Sequence, residues 1–329
     1  MRCIQFVHTY DSIISVENLL LAWQEFEKGK KNKKDVQEFS FCLMDNIFLL
    51  HNDLKNQTYQ HGGYHAFNIS DPKPRNIHKA TVRDRLVHHA IYRILYPFFD
   101  KTFIADSYSC RLGKGTHKAL ERFAFFARKV GRNDTKTVWV LKCDIRKFFA
   151  NIDHDVLKEI FGWYIPDVKI LALLNNVIGS FCSTAPGKGL PLGNLTSQLL
   201  VNIYMNEFDQ FAKHKLKAKY YVRYADDFVF LSHDCEHLGK QISIIRDFLS
   251  QRLKLELHPK KLFLKTFASG VDFLGRVHFT DHCVLRTTTK KRVVKRIAVH
   301  PTKETCASYL GLLKHGNTKK LQRELKLLQ

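Results

Sequence analysis

Three aspartates, Asp144, Asp226 and Asp227, have the residue type and setting to do chemistry. Asp144 follows the β-prone run TVWVL at residues 137–141, with only Lys142 and Cys143 between. Such a run reads as a buried strand that ends in a carboxylate. Asp226 and Asp227 lie in KYYVRYADDFVFLS, residues 219–232, between two β-prone halves. Carboxylate oxygens on rigid supports suit hard divalent cations. Two such ions, roughly 3.5–4 Å apart, can activate an attacking hydroxyl and steady a phosphate leaving group. The three acids supply the oxygens if the strand and the tip of the second segment lie side by side. The plainer reading of Asp226 and Asp227 is a hairpin turn, which is usual for an isolated Asp-Asp pair. Here the flanks are Tyr224 and Phe228 in place of the Asn-Gly or Asp-Gly expected of a tight turn, and that reading loses ground.

The surrounding elements follow from periodicity. Residues 15–54 read as two amphipathic helices, with Leu19, Leu20, Trp23 and Phe26 on one stripe and Phe39, Leu43, Ile47 and Leu50 on the other. Between them KGKKNKK, residues 28–34, is a solvated turn or a phosphate contact, with the turn slightly favoured. A Gly- and Pro-containing stretch, residues 62–74, ends in extended basic dipeptides. Thr81 can cap a helix to Phe99 whose inner face carries Val82, Leu86, Ala90, Ile94 and Leu95, with His88 and His89 at the edge of the packed stripe. A long helical pattern runs from about Ser197 to Phe211 after the Gly-rich, Pro-containing loop 186–193.

Composition bounds the setting. The chain has 329 residues, enough for two or three packed subdomains, and an ordinary globular make-up of 45% hydrophobic residues. It carries 53 Lys and Arg against 31 Asp and Glu, a formal charge of +22, which favours polyanionic partners, nucleic acid first. No apolar run approaches the roughly 20 residues of a membrane span, and a signal peptide is not visible, so a cytoplasmic location is expected. Eight cysteines (3, 42, 110, 143, 182, 235, 283 and 306) form no CxxC pair and are expected as reduced thiols. His233, Cys235 and His237 could aim three ligands one way only on a strand, and read more easily as a polar loop.

Tyr224-Ala225-Asp226-Asp227 resembles the YxDD box of reverse transcriptases, and residues 142–149 (KCDIRKFF) resemble their first catalytic-aspartate motif. LPLGNLTSQ at 190–198 is similar to the middle motif, and LELHPKK at 255–261 and VDFLGRV at 271–277 to the later palm motifs. Residues 73–90 and 107–120 resemble the fingers motifs, so the likeness runs collinearly over about residues 72–277. The resemblance implies an α+β right-hand polymerase fold with fingers, a palm built on an antiparallel core sheet, and a helical basic thumb. The corresponding ranges are 1–135 for N-terminal helices and fingers, 136–280 for the palm with an insertion at about 160–195, and 281–329 for the thumb. It further implies Asp144, Asp226, Asp227 and the carbonyl of Ile145 as ligands of two Mg2+ ions, with Mn2+ as a substitute. Lys261 matches a lysine that protonates departing pyrophosphate. Lys73, Arg75 and Arg111 match positions over the incoming triphosphate, where Arg offers bidentate contacts. Phe149 stands where a ring excludes a 2′-hydroxyl, while Phe148 beside it reads as core. Leu192, Gly193 and Gln198 fall in the nucleotide-binding middle motif, and Phe273, Leu274 and Gly275 match the primer grip.

Most of the family has Gln and Pro where this chain has Leu192 and Gln198. That departure, with RDRLVHHAI and SYLGLLKHGNT at 308–318, resembles the reverse transcriptases of diversity-generating retroelements. The subgroup implies error-prone copying at template adenines into cDNA for mutagenic retrohoming, from dNTPs, a template RNA and a small basic accessory protein that is itself a candidate oligomer. No appended nuclease is expected in the 50 or so residues beyond Val277. The alternatives are a retron, group II intron-like or phage-defence reverse transcriptase, or an idle RNA-binding scaffold of polymerase shape.

Overall fold

The computed structural model describes residues 4–70, 73–183, 185–313 and 317–326; Cys3, Pro72 and Lys314 to Gly316 of the 308–318 motif lie outside them. The chain forms two compact units, the first from Met1–Ala105, Ile145–Lys215 and Ile245–Leu257, the second from Asp106–Asp144, Leu216–Ile244 and His258–Gln329.

The first unit is mainly helical. It opens with α1 (Tyr10–Ile14), α2 (Val16–Glu27), α3 (Lys34–Phe41) and α4 (Leu43–Lys55). Where two helices are expected over 15–54 there are thus three, because the backbone leaves helical geometry at Cys42 (φ −114°, ψ 45°). The stripe survives the break: Leu19, Trp23 and Phe26 are buried on α2, and Ile47 and Leu50 on α4. The basic run forms the turn before α3. The stretch 62–74 is not all loop, since β1 (Tyr64–Ile69) pairs antiparallel with β2 (Arg75–Ala80). α5 (Val82–Thr102) follows, and Thr81 caps it by accepting from Asp84 N through its hydroxyl. It runs through Pro97 and past Phe99, and buries Ile91 where Ile94 stays half-buried.

Also on α5, His88 does not sit at an edge: it is 1% exposed and stacks on His61, with the two Nε2 atoms 3.1 Å apart. Asp84 beside it accepts from Tyr59 Oη (2.8 Å) and Gly62 N (3.1 Å), closing the base of the β1–β2 hairpin. The Asp84 carboxylate is fully partnered, while His88 is bonded through Nε2 only and its Nδ1 is buried without a hydrogen bond.

The second unit contains α6 (Thr116–Val130) and β3 (Trp139–Asp144), and the first unit resumes with α7 (Phe148–Asn151), α8 (His154–Tyr164), α9 (Val168–Gly179) and α10 (Leu195–His214). β4 (Tyr221–Tyr224) and β5 (Asp227–Ser232) return to the second unit; α11 (Cys235–Leu253) passes at Ile245 into the first; and β6 (Phe263–Thr266), β7 (Val271–Phe273), β8 (Arg276–His278) and β9 (Cys283–Leu285) are again in the second. The helices α12 (Thr287–Val299), α13 (Lys303–Leu313) and α14 (Lys319–Lys326) end the described chain.

β4-β5-β3-β6 form one antiparallel sheet and β7-β8-β9 another. Strand alternation puts Val140, Lys142 and Asp144 on one face, and the aligned Val229 and Val222 pack there with Phe123, Phe126 and Val130 of α6. That apolar core leaves Lys142 and Asp144 as polar residues at one end of an otherwise greasy face. Val293, Ile297, Cys306 and Leu313 make a separate small core for the C-terminal helices. No helix among the described residues is long and apolar enough to cross a membrane.

Candidate active site

The site is built on register. β3 pairs with β5 so that Asp144 lies directly opposite Asp227, and β4 pairs with β5 so that Tyr224 closes on Asp227 around the two-residue tip Ala225-Asp226. Directly opposed residues of an antiparallel pair bring their Cβ atoms to about 4.5–5.5 Å, where like charges repel. The sheet therefore brings Asp144 and Asp227 face to face and puts Asp226 at the adjoining tip.

The plain hairpin reading is right about geometry and incomplete about cost. Ala225 sits at φ 53°, a left-handed conformation that disfavours a residue with Cβ by roughly 1–2 kcal/mol. Arg223 holds it: this fully buried guanidinium donates to Ala225 O (3.1 Å) and to Ser107 Oγ (3.0 Å). Its own backbone is clamped to the 106–108 loop by Arg223 N to Asp106 O and Tyr108 N to Arg223 O, both 3.0 Å.

Electrostatics single out the same carboxyls. Burial pushes the Asp226 carboxyl up to about 6, with Asp144 and Asp227 adding to it. Burial likewise raises Asp227, against the pull of Lys142. Lys261 donates to both oxygens of Asp144 (2.8 and 3.0 Å), and Lys142 Nζ is 3.3 Å from Asp227 Oδ1 while donating to Asp272 O. Asp227 Oδ1 is nevertheless buried without a hydrogen bond. Among the described residues no three His, Cys, Asp or Glu side chains are already gathered to hold a metal ion; Asp144 is turned onto Lys261. An all-carboxylate donor set whose mutual repulsion is offset only by Lys142 and Lys261 fits hard divalent cations.

The loop carrying Lys261 is tied to the strand it serves. His258 N donates to Asp144 O (2.7 Å) and Lys261 N to His258 O (3.1 Å), a turn with Pro259 at its favoured second position. Phe273 is buried at the end of β7, and Leu274 (φ 49°) and Gly275 (φ 84°) form the tight turn into β8. Arg111 donates to Ser107 O (3.0 Å) within its own loop.

The remaining candidates belong to the first unit. Ile145 is buried and bridges Leu257. Phe148 is buried and Phe149 half-buried on α7, and Phe149 O accepts from Leu190 N (2.8 Å). The middle motif is stitched to β2: His78 N donates to Leu192 O and Asn194 Nδ2 to His78 O, both 3.0 Å. Gly193 has φ +106°, and a Cβ there would lie 2.7 Å from Ile77 Cγ2. Gln198 is exposed on α10, and Lys73 and Arg75 are exposed, Arg75 at the end of β2 opposite Ile69. In the second unit, His233, Cys235 and His237 make no metal cluster and are not a polar loop: Cys235 and His237 lie in the first turn of α11, where Asp234 Oδ1 accepts from His237 N (2.9 Å).

Lys142, Arg223 and Asn194 were not singled out by sequence. Lys142 was findable, since alternation in β3 puts it on the face of Asp144. Arg223 carried a signal too, an arginine within the apolar YYVRY. For Asn194 only the tertiary contact to His78 reveals a role.

An acidic strand end opposed to an acidic hairpin tip on an antiparallel sheet is an arrangement that suits a nucleotidyl-transferring polymerase. Residues 69–311 match the family model described as reverse transcriptase (RNA-dependent DNA polymerase), and the chain belongs to that family. It is 26% identical to protein YkfC of Escherichia coli (strain K12), over 74% of this chain and 72% of the relative. It is 24% identical to the group II intron-encoded protein LtrA of Lactococcus lactis subsp. cremoris, over 67% of this chain but 46% of LtrA. Among solved structures it resembles apo telomerase from Candida tropicalis (TM-score 0.53, 13% identity, 67% of this chain and 48% of that one). It also resembles telomerase from Candida albicans in complex with a fragment of telomeric RNA (TM-score 0.52, 13% identity, 74% and 51%). These neighbours share the right-hand polymerase fold, in which the antiparallel sheet seen here is the palm.

Proposed function

We propose that the chain copies a template RNA into cDNA by nucleotidyl transfer at Asp144, Asp226 and Asp227, and that it does so with frequent errors at template adenines as part of a diversity-generating retroelement. The single observation that carries the chemistry is the pairing of Asp144 with Asp227 beside the hairpin tip that carries Asp226 and is strained at Ala225. Two Mg2+ ions, or Mn2+ in their place, would lower the pKa of the attacking hydroxyl and neutralise charge on the leaving pyrophosphate. The three carboxylates would hold them, with the backbone carbonyl of Ile145, next in sequence to Asp144, as a further oxygen donor. Lys261, a cation already drawn to Asp144, gives a proton to the departing pyrophosphate. Lys73, Arg75 and Arg111 pair with the triphosphate, and Phe149 rejects a 2′-hydroxyl by its bulk. Phe273, Leu274 and Gly275 steady the primer end.

The retroelement reading rests on Leu192 and Gln198 in the middle motif. An aliphatic Leu192 cannot supply the hydrogen bonds of Gln, which loosens rejection of mispairs. A small basic accessory protein is part of this reading. The second reading, an intron-type enzyme, is favoured by the likeness to LtrA. Incorporation of dNTPs on an RNA primer-template with Mg2+, followed by sequencing of the product, tests both. Extension abolished by Asp226→Ala, with errors concentrated opposite adenine, supports the proposal. Extension with evenly spread errors favours the intron-type reading, and no extension under any condition points to an idle RNA-binding scaffold.

A further inference from the structure

A cavity of about 370 Å³ opens in the second unit between the end of α6, the start of β4 and the start of α11. It is lined by the distal half of β5, Phe230 to Ser232, about 10–17 Å along the strand from Asp227, so a ligand here does not overlap the acid cluster. Lys129, Arg132, Lys217 and Lys219 line it, with His237 and Gln241, and no Asp or Glu does. Four permanent cations around one concavity repel one another, an arrangement stabilised by a bound anion. A solvated basic surface would show the same charges, but not the second observation. Gln241 is 5% exposed, its Nε2 is 2.8 Å from His237 Nε2, and its Oε1 is buried with no hydrogen bond. Turning the amide over would only exchange which of its two polar atoms is unpartnered. A buried amide atom lacking a partner costs stability unless a ligand completes it.

We propose that this cavity is a second nucleotide site: the lysines and Arg132 take a phosphate, and the Gln241 amide pairs with a base or sugar group of the same nucleotide. The volume falls in the range of small-molecule sites. The nucleotide is either free or one unit of an RNA strand, and the phosphate chemistry is the same for both.

Binding of three probes to the full chain in EDTA separates these sources: inorganic phosphate, AMP and a short fluorescein-labelled oligoadenylate. The variant Arg132→Glu/Lys217→Glu reverses two exposed charges, and an unchanged urea midpoint verifies its fold. It should weaken AMP or oligoadenylate by about tenfold or more, since charge-assisted phosphate contacts are the strong ones. Loss for AMP assigns a free nucleotide, and loss for oligoadenylate alone assigns a unit of a strand. Gln241→Leu should weaken the same probe while leaving phosphate unchanged. Affinities within about twofold of wild type for AMP and oligoadenylate in both variants, or binding of phosphate alone, overturns the proposal.

Discussion

Replacing Asp226 with Asn should stabilise the metal-free protein while abolishing its activity. The carboxyl is pushed up to about 6 from an ordinary 3.8, by burial first and then by Asp144 and Asp227. The folded state thus holds this proton more tightly than the unfolded chain. Stability from that proton is full below about pH 4 and is lost as pH rises through about 6. Two pKa units correspond to about 3 kcal/mol, and partial solvent screening reduces the expected penalty at pH 7.5 to about 1–3 kcal/mol. Asn carries no such charge. Urea unfolding in EDTA should therefore show Asp226→Asn more stable by about 1–3 kcal/mol at pH 7.5, and within about 0.5 kcal/mol of wild type near pH 4. Primer extension by the same variant should vanish. A variant less stable than wild type at both pH values would refute the reasoning, because the carboxylate would then be a net structural contributor.

Lys261→Ala should lower kcat for dNTP incorporation by about 10²-fold or more with little change in KM, as loss of a general acid does. Lys261 is half-exposed but Asp144 is buried, so loss of the pair should lower stability by about 1–2 kcal/mol in urea unfolding, too little to account for the loss of kcat. Gly193→Ala should destabilise by roughly 1–3 kcal/mol, because the new Cβ meets Ile77 at a φ reserved for glycine, and should raise the KM for dNTP. Leu192→Gln should reduce misincorporation opposite adenine in sequenced products; an unchanged error rate removes Leu192 from the fidelity mechanism.

Much of the palm sheet was legible because its strands are short apolar runs that end at acids. TVWVL led to β3, and the two halves of KYYVRYADDFVFLS led to β4 and β5, each within two residues. The register of Asp144 against Asp227 was not legible, since pairing depends on contacts between segments far apart in the chain. The helix break at Cys42 escaped notice because the hydrophobic stripe continues across it from Phe39 to Ile47. The β1–β2 hairpin is not legible beyond a Gly- and Pro-containing stretch with extended ends, because the Asp84 clasp that closes its base is tertiary. His88 looked peripheral because a polar side chain on an apolar face is ordinarily at the rim; its burial depends on His61, 27 residues away.

Titration with Mn2+ followed by electron paramagnetic resonance, in the presence of an RNA primer-template and a non-hydrolysable dNTP, tests the shared-metal site most directly. The expected result is a spin-coupled pair of ions in wild type, lost in Asp144→Asn, Asp226→Asn and Asp227→Asn alike. Coupled ions that persist when any one of these carboxylates is gone would contradict it.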